Sequence, residues 1–562
     1  MDKLLEINNL AIDFLSERGT TRAVDGISFS LTRGETLGIV GESGSGKSVT
    51  SLSVMRLLPE ANKCQLSGNI LWKNTTDLLK ASQPEMQKIR GSQIAMIFQE
   101  PMTSLNPVFR CGHQVTEAIQ LHQQVSFEEA QKQTLAWFEK VKLPDPQRIF
   151  NAYPHQISGG QKQRVMIAMA MSCSPDLLIA DEPTTALDVT VQKAILELMR
   201  ELRAETGLSM MFISHDLGVI SEICDRVLVM HQGKVVEEGP VDQVLNHPKH
   251  PYTKGLVACR PSLKQKLWRL PTVPDFLEHG GFESRVISSG EDRQRQEQLK
   301  AQEPLLQVKQ LQVRYPAQKN WWGKTTHWTN AVQDISFDVY PGETFGLAGE
   351  SGCGKTTLGR TIARLTDAYS GEILYKGQNL LNLSDAEFRP FRKEIQVVFQ
   401  DPYASLNPKM TIGEAILEPM KVHRLNGNDA MRKEKTIDLL ETVGLKADHF
   451  RRYPHEFSGG QRQRICVARA LALEPKFLVC DEMVSALDVS VQATVLNLLM
   501  DLREKFGLTY LFISHDLSVI KQMCDRLMIM NLGKMEALGY PEDIYNRPEK
   551  PYVQKLIAAI PG

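Results

Sequence analysis

Short, unbroken apolar runs set the rhythm of this chain. TLGIV (36–40), LLIAD (177–181) and MMFIS (210–214) are answered by TFGLA (344–348), FLVCD (477–481) and YLFIS (510–514). Each is apolar on consecutive residues, not on alternate ones. That pattern predicts strands buried on both faces, and hence a parallel sheet covered by helices. Further short apolar strands open each half, in LLEINNLAIDF (4–14) and PLLQVKQLQVRY (304–315). Between Gln99 and Ser158, and again between Gln400 and Ser458, the pattern turns helical and more polar. A helical subdomain inserted in each half is the expectation.

The answering runs belong to a long repeat. GESGSGKS at Gly41–Ser48 returns as GESGCGKT at Gly349–Thr356. ISGGQKQR at Ile157–Arg164 returns as FSGGQRQR at Phe457–Arg464, and FISHDL at Phe212–Leu217 recurs at Phe512–Leu517. A period near 300 residues marks a duplicated domain, not a solenoid. Lys47 and Lys355 lie 308 apart, Gln99 and Gln400 301 apart, and His215 and His515 300 apart. The second half therefore gains residues before its Gly-rich loop, around KNWWGKTTHW (319–328), and loses as many after it. Core spacing is held while surface loops vary. Trp321 and Trp322 in the longer loop are expected to pack locally in a hairpin. The organisation expected is a first domain 1–259, a linker 260–303 and a second domain 304–562. The middle of the linker, GFESRVISSGEDRQRQEQLK, is polar and charged and predicts a flexible tether.

Composition narrows the class. A length of 562 residues is a prior for three or four compact units, which the repeat refines to two halves. With 42% hydrophobic and 23% charged residues the chain reads as ordinary globular protein. A net charge of −1 gives no global field toward nucleic acid or anionic lipid. No apolar run reaches the 18 or so residues that would cross a bilayer. MDKLLEINNLAIDF lacks the apolar core of a secretion signal. Nine cysteines are scattered singly without a CxxC pair. That fits a reducing cytoplasm and argues against a disulfide framework or a clustered metal site.

The repeated motifs carry the chemistry. GxxxxGK[ST] between a strand and a helix is a phosphate cradle. Its loops are Gly41, Ser43, Gly44 and Gly46 in one half and Gly349, Ser351, Gly352 and Gly354 in the other. Their backbone N–H groups close around phosphates, and the helix N-terminus adds a favourable dipole. Lys47 and Lys355 would reach the β- and γ-phosphates, and Ser48 and Thr356 would place a hydroxyl on Mg²⁺. Asp181 and Asp481 end apolar strands and would hold Mg²⁺. Glu182 and Glu482, next in the chain, would orient and polarise the attacking water. A lone histidine is usually a packed core residue. At matching places in two SHD motifs, His215 and His515 read instead as γ-phosphate contacts. Ser158-Gly159-Gly160-Gln161 and Ser458-Gly459-Gly460-Gln461 each open a long helix, a second anion-binding terminus. One domain already has its cradle, so the extra terminus makes sense if it addresses nucleotide held by the other domain.

These motifs together resemble the ATPase domains of ABC proteins: Walker A, the Q-loop glutamines Gln99 and Gln400, the SGGQ signature, Walker B with its glutamate, a SALD-type D-loop and the switch histidine. The resemblance covers nearly the whole chain apart from the linker. It implies an α/β fold of two tandem ABC-type P-loop ATPase domains. Each would have a mostly parallel core sheet, an antiparallel β subdomain and an inserted helical subdomain. It implies ATP and Mg²⁺ as cofactors, with Gln99 and Gln400 beside the metal. It also implies head-to-tail packing. One site would use Lys47, Ser48, Gln99, Asp181, Glu182 and His215, closed by Ser458 and Gly460. The other would use Lys355, Thr356, Gln400, Asp481, Glu482 and His515, closed by Ser158 and Gly160. Phe14 and Tyr315 match the aromatic on which adenine stacks; ordinary strand packing is the alternative.

A narrower resemblance rests on FQEPMTSLNP (98–107), FQDPYASLNP (399–408), YPHQISGG, YPHEFSGG and HPYT at His250–Thr253. These are similar to the oligopeptide/dipeptide/nickel importer ATPases, in a fused form. The resemblance implies two transmembrane permease subunits and an extracytoplasmic solute-binding protein as partners, and no nucleic acid. It implies membrane contact only through the permeases, at the cytoplasmic face of the inner membrane. Peptide-like cargo (glutathione, a dipeptide or an oligopeptide) is implied, with nickel as the alternative. Three departures stand out. Cys259 is the lone cysteine where many first subunits carry an iron–sulfur cluster, so none is expected. Met483 replaces the usual proline after the catalytic glutamate, which would alter the turn carrying Glu482. Cys353 replaces a serine in the second cradle. The rival reading is a tandem ABC protein acting on ribosomes or DNA. It would bring a long charged helical linker or zinc-binding cysteine pairs, which this sequence lacks.

Overall fold

The computed structural model describes residues 2–16, 19–59, 63–99, 104–185, 187–319 and 325–560. Trp321 and Trp322 and part of FQEPMTSLNP lie outside the described residues. Each half carries a six-stranded core sheet. In the first half the order is Lys234–Pro240, Arg226–His231, Thr36–Val40, Ser209–Ile213, Leu177–Asp181 and Ile94–Ile97. Neighbours are parallel except the edge hairpin of the first two. The second half repeats this with Lys534–Gly539, Arg526–Asn531, Thr344–Ala348, Thr509–Ile513, Phe477–Asp481 and Ile395–Val398. Every residue of Thr36–Val40, Leu177–Asp181 and Ser209–Ile213 is buried. Covered faces on both sides leave no reason for alternation.

A smaller antiparallel sheet lies against each core sheet. Gly19–Thr32, Lys3–Ser16, Cys64–Trp72 and Thr76–Asp77 form the first. Leu5, Ile7, Leu10 and Ile12 share one apolar cluster with Leu37, Ile39 and Ile213 of the core strands. In the second half Leu306–Lys319 pairs with Thr325–Val339 out to Lys319 opposite Thr325. The extra length of that half is therefore a longer hairpin.

The inserted segments are helical, as their pattern predicts. Cys111–Gln123 and Phe127–Lys140 in the first half correspond to Ile412–Val422 and Asp429–Thr442 in the second. Each pair packs on the helix that follows the SGGQ motif, Gly159–Met171 or Gly459–Leu471. On this side the apolar core does not stop at the domain boundary. One cluster runs through both halves, joining Val165 and Leu196 to Ile465 and Leu496.

The linker corrects the sequence reading: it is not a flexible tether. Val273–Glu278 and Ser289–Lys300 are helices, and Lys266–Leu267 pairs with Val286–Ile287. Val273–Glu278 packs on the first half's helix Pro251–Ala258. The remainder docks on the second half. Asn497, buried in the helix Val489–Phe506, accepts from Leu270 N–H (2.9 Å) and donates to Leu270 C=O (2.8 Å). Gln522 treats the backbone of Leu267 in the same way, at 3.0 and 2.6 Å. Arg295 binds the buried Asp525 at 2.8 Å, and Gln296, also buried, donates to the Asp525 carbonyl. Polar residues that composition assigns to solvent are thus satisfied by buried polar partners. Composition counts the donors and not where their acceptors stand.

Candidate active site

Each Gly-rich loop joins a buried core strand to a short helix, Lys47–Val54 or Lys355–Ile362. Gly41 and Gly349 make the crossing with φ of +151° and +147°. A side chain there would meet the carbonyl of Met230 or Met530 at 2.2 Å. Lys47 is buried and folds back over its loop, donating to the carbonyls of Gly41 (2.7 Å) and Glu42 (2.8 Å). Lys355 does the same with Gly349 (2.8 Å) and Glu350 (3.0 Å). Cys353 takes the place of Ser45 at no hydrogen-bonding cost, because the buried Ser45 hydroxyl finds no partner.

The acidic residues converge on these loops. Ser48 Oγ donates to Asp181 Oδ1 at 3.1 Å, and Thr356 Oγ1 to Asp481 Oδ1 at 2.9 Å. Glu182 Oε2 accepts from Gln99 (2.9 Å) and Thr185 (3.0 Å) and lies 3.2 Å from His215 Nδ1. Glu482 Oε2 accepts from Gln400 (3.1 Å) and lies 3.6 Å from His515 Nδ1. Its other oxygen is 3.5 Å from Lys355 Nζ. Both glutamates hold a left-handed backbone, φ 49° and 46°, and both donate N–H at 3.0 Å to the strand end, Ile213 or Ile513. The turn carrying Glu482 is therefore the same as that carrying Glu182, contrary to the expectation from Met483. Met483 simply packs into the core.

Electrostatics separate the two carboxylates. Burial pushes Asp181 up to about 6, and the adjacent Glu182 charge adds to the rise. Burial also opposes ionisation of Glu182, but hydrogen bonds from His215 and Thr185 and the charges of His215 and Lys47 overcome it. They bring Glu182 down to about 2. Asp481 is raised and Glu482 lowered for the corresponding reasons. A carboxylate held ionised by its hydrogen bonds thus sits beside one that burial raises.

The halves meet at these loops. Ser43 N–H donates to Asp488 Oδ2 across the interface (3.3 Å), and Thr190 Oγ1 donates to Glu350 Oε1 (2.7 Å). Ser158 and Gly160 share a cleft of about 650 Å³ with Glu350, so the first half's signature faces the second cradle. Ser158 and Ser458 cap their own helices, accepting from Gln161 and Gln461 N–H at 3.3 and 3.4 Å. Gly160 and Gly460 are required by close packing: a Cβ would meet Val191 at 2.7 Å or Val491 at 2.0 Å. Tyr315, 41% exposed, lines a cavity of about 660 Å³ with Lys355, Thr356, Gln400 and Glu482. Phe14 is half-buried against the first half's β core.

Two residues escaped the sequence reading. Tyr252 and Tyr552 each accept a hydrogen bond from a cradle N–H, that of Glu42 (3.0 Å) or Glu350 (3.2 Å). The signal was present, because HPYT and KPYV place a Pro-Tyr pair at the same offset in both halves.

Comparison with known proteins gives the family. The chain matches the ABC transporter family over residues 24–185 and 332–485. It matches the oligopeptide/dipeptide transporter C-terminal region over 236–278. It is 48% identical to the glutathione import ATP-binding protein GsiA of Escherichia coli (strain K12), over 99% of this chain and 89% of that one. The GsiA of Salmonella choleraesuis is 47% identical, over 99% and 89%. That of Pectobacterium atrosepticum is 46% identical, over 100% and 90%. Two complete cradles, their acidic partners and these similarities lead to one conclusion: the chain belongs to the ABC transporter family and is the ATP-hydrolysing subunit of an ABC importer.

Proposed function

We propose that this subunit powers uptake of a peptide-like solute (glutathione, a dipeptide or an oligopeptide) through two separate permease proteins. An extracytoplasmic binding protein delivers the solute, and the subunit works at the cytoplasmic face of the inner membrane. The observation that carries the reading is the mirrored constellation, Lys47–Asp181–Glu182–Gln99–His215 and Lys355–Asp481–Glu482–Gln400–His515, in one chain. Solute class rests on likeness to the glutathione importers. The described residues include no helix long and apolar enough to cross a membrane; the permeases rest on likeness to the import ATP-binding proteins.

Both sites hydrolyse ATP in this reading. Lys47 and Lys355 bind the β- and γ-phosphates, and Phe14 and Tyr315 carry the adenine. Ser48 with Asp181, and Thr356 with Asp481, are hard-oxygen pairs that fit Mg²⁺, with Gln99 and Gln400 at its edge. The ion would neutralise charge on the phosphates. Glu182 and Glu482 accept hydrogen bonds from the attacking water and aim it. His215 and His515 steady those carboxylates and meet the γ-phosphate. Ser458 and Gly460 close the first site, and Ser158 and Gly160 the second. Each signature serine keeps its O–H proton for the phosphate while its lone pair caps the helix. The working units are the proposed 1–259 and 304–562, with 260–303 bridging them.

The test is purification of the tagged chain from native membranes in mild detergent, followed by identification of what accompanies it. Two polytopic membrane proteins are expected, and labelled glutathione or peptide uptake should require these, this chain and the binding protein. Uptake of nickel alone would move the cargo to the alternative; recovery with ribosomes or DNA and no permease would overturn the transport reading.

A further inference from the structure

The geometry points to a further pair of positioning residues. We propose that Tyr252 and Tyr552 set the orientation of the cradle peptide that holds the phosphate-binding lysine, and so tune nucleotide affinity. The inference rests on the reading of Lys47 and Lys355 as phosphate ligands.

The argument begins with one peptide group. The carbonyl of Gly41 and the N–H of Glu42 belong to the same planar unit, and in a trans peptide they point in opposite directions. The carbonyl accepts from Lys47 Nζ at 2.7 Å. The N–H donates to Tyr252 Oη at 3.0 Å. Fixing one end fixes the other: the tyrosine holds the N–H outward, and the carbonyl must then face the lysine. The second half repeats this, with Gly349 C=O to Lys355 at 2.8 Å and Glu350 N–H to Tyr552 at 3.2 Å. Gly41 and Gly349 carry no side chain that would hinder rotation of the peptide that follows them. Tyr252 and Tyr552 supply the clamp from outside the loop.

The clamp is rigid. Tyr252 is fully buried and stacked on His231, with ring centroids 4.0 Å apart. Burial raises its pKa, so the phenol stays neutral. Tyr252 and Tyr552 stand in the first turn of the helices Pro251–Ala258 and Pro551–Ala558. These helices also touch the opposite half. The first packs on Val489–Phe506, and the carbonyl of Ala558, in the second, accepts from Lys193 at 2.9 Å. Each tyrosine therefore joins its own cradle to a helix seated on the other half. Displacement of that helix when the halves move would be felt at the lysine.

Removing only the hydroxyl isolates the effect. Tyr252→Phe with Tyr552→Phe, in the full chain, should raise KM for MgATP about 3- to 10-fold, the range of one hydrogen bond. The midpoint of thermal unfolding should stay within about 2 °C. Amide exchange at Glu42 and Glu350 should speed up. A merely structural role would lower the midpoint and the active fraction and leave KM unchanged. Lys47→Ala and Lys355→Ala serve as the reference. An unchanged KM in the double phenylalanine variant, with binding lost in the lysine variants, overturns the role of the tyrosines alone. Retained binding and turnover in the lysine variants would overturn the cradle reading on which the inference stands.

Discussion

At the scale of the residue, the proposed chemistry depends on two adjacent carboxylates that their surroundings drive apart. Glu182 is held ionised by His215, Thr185 and Lys47, while Asp181, which accepts from Ser48, is raised by burial. Glu182→Gln and Glu482→Gln, made singly, should each cut ATP turnover about 100-fold at the altered site and spare ATP binding. Single-turnover assays with labelled ATP would check this, and full activity in either variant would show that the sites are not equivalent. Sign can be tested as well. The pKa of Glu182 falls from the usual 4.5 to about 2 on folding, so its stabilisation is present above 4.5 and is lost as pH falls toward 2. The advantage of wild type over Glu182→Gln in urea midpoint should therefore hold from about pH 5 to 6.5, shrink between pH 5 and 3, and fall again at higher pH, where His215, itself raised by Glu182, loses its proton. Gly41→Ala should abolish nucleotide binding at the first site, because its Cβ would meet the Met230 carbonyl at 2.2 Å. Equilibrium dialysis would measure one site in place of two.

At the scale of the element, the linker is the main departure from expectation. Glu197, the first-half counterpart of Asn497, is exposed, whereas Asn497 is buried and satisfies both backbone groups of Leu270. Asn497→Ala would strand a buried N–H and C=O at roughly 1–3 kcal/mol each. Faster cleavage between 260 and 303 in limited proteolysis is the expected outcome, while Glu197→Ala should behave as wild type. The strands, the inserted helices and the cradles were legible because each writes its own local pattern. A docked linker writes none: Arg295 and Gln296 look like solvent residues until Asp525 is placed beside them.

At the scale of the whole molecule, the halves are joined by one apolar cluster, by contacts from each D-loop region to the opposite cradle, and by the bridging linker. A lesion in one signature should therefore damage the other half's site. Ser158→Arg is expected to impair ATP turnover at the Lys355 site, and Ser458→Arg at the Lys47 site. Combining each with Lys47→Ala or Lys355→Ala would check the crossing: losses should coincide for Ser158→Arg with Lys355→Ala and accumulate for Ser158→Arg with Lys47→Ala.

The sequence by itself determined the duplication, the strand–loop–helix cradles, the acidic strand ends and the helical insertions. Each of these depends on residues close together in the chain, through apolar periodicity or through glycines that a loop demands. Tertiary structure alone decided that the linker is folded, that Met483 leaves the turn unchanged, and that Tyr252 and Tyr552 reach the cradles. Those outcomes depend on partners about 200 residues away or on how a core accommodates one side chain. Such information resides in packing, which no local pattern records.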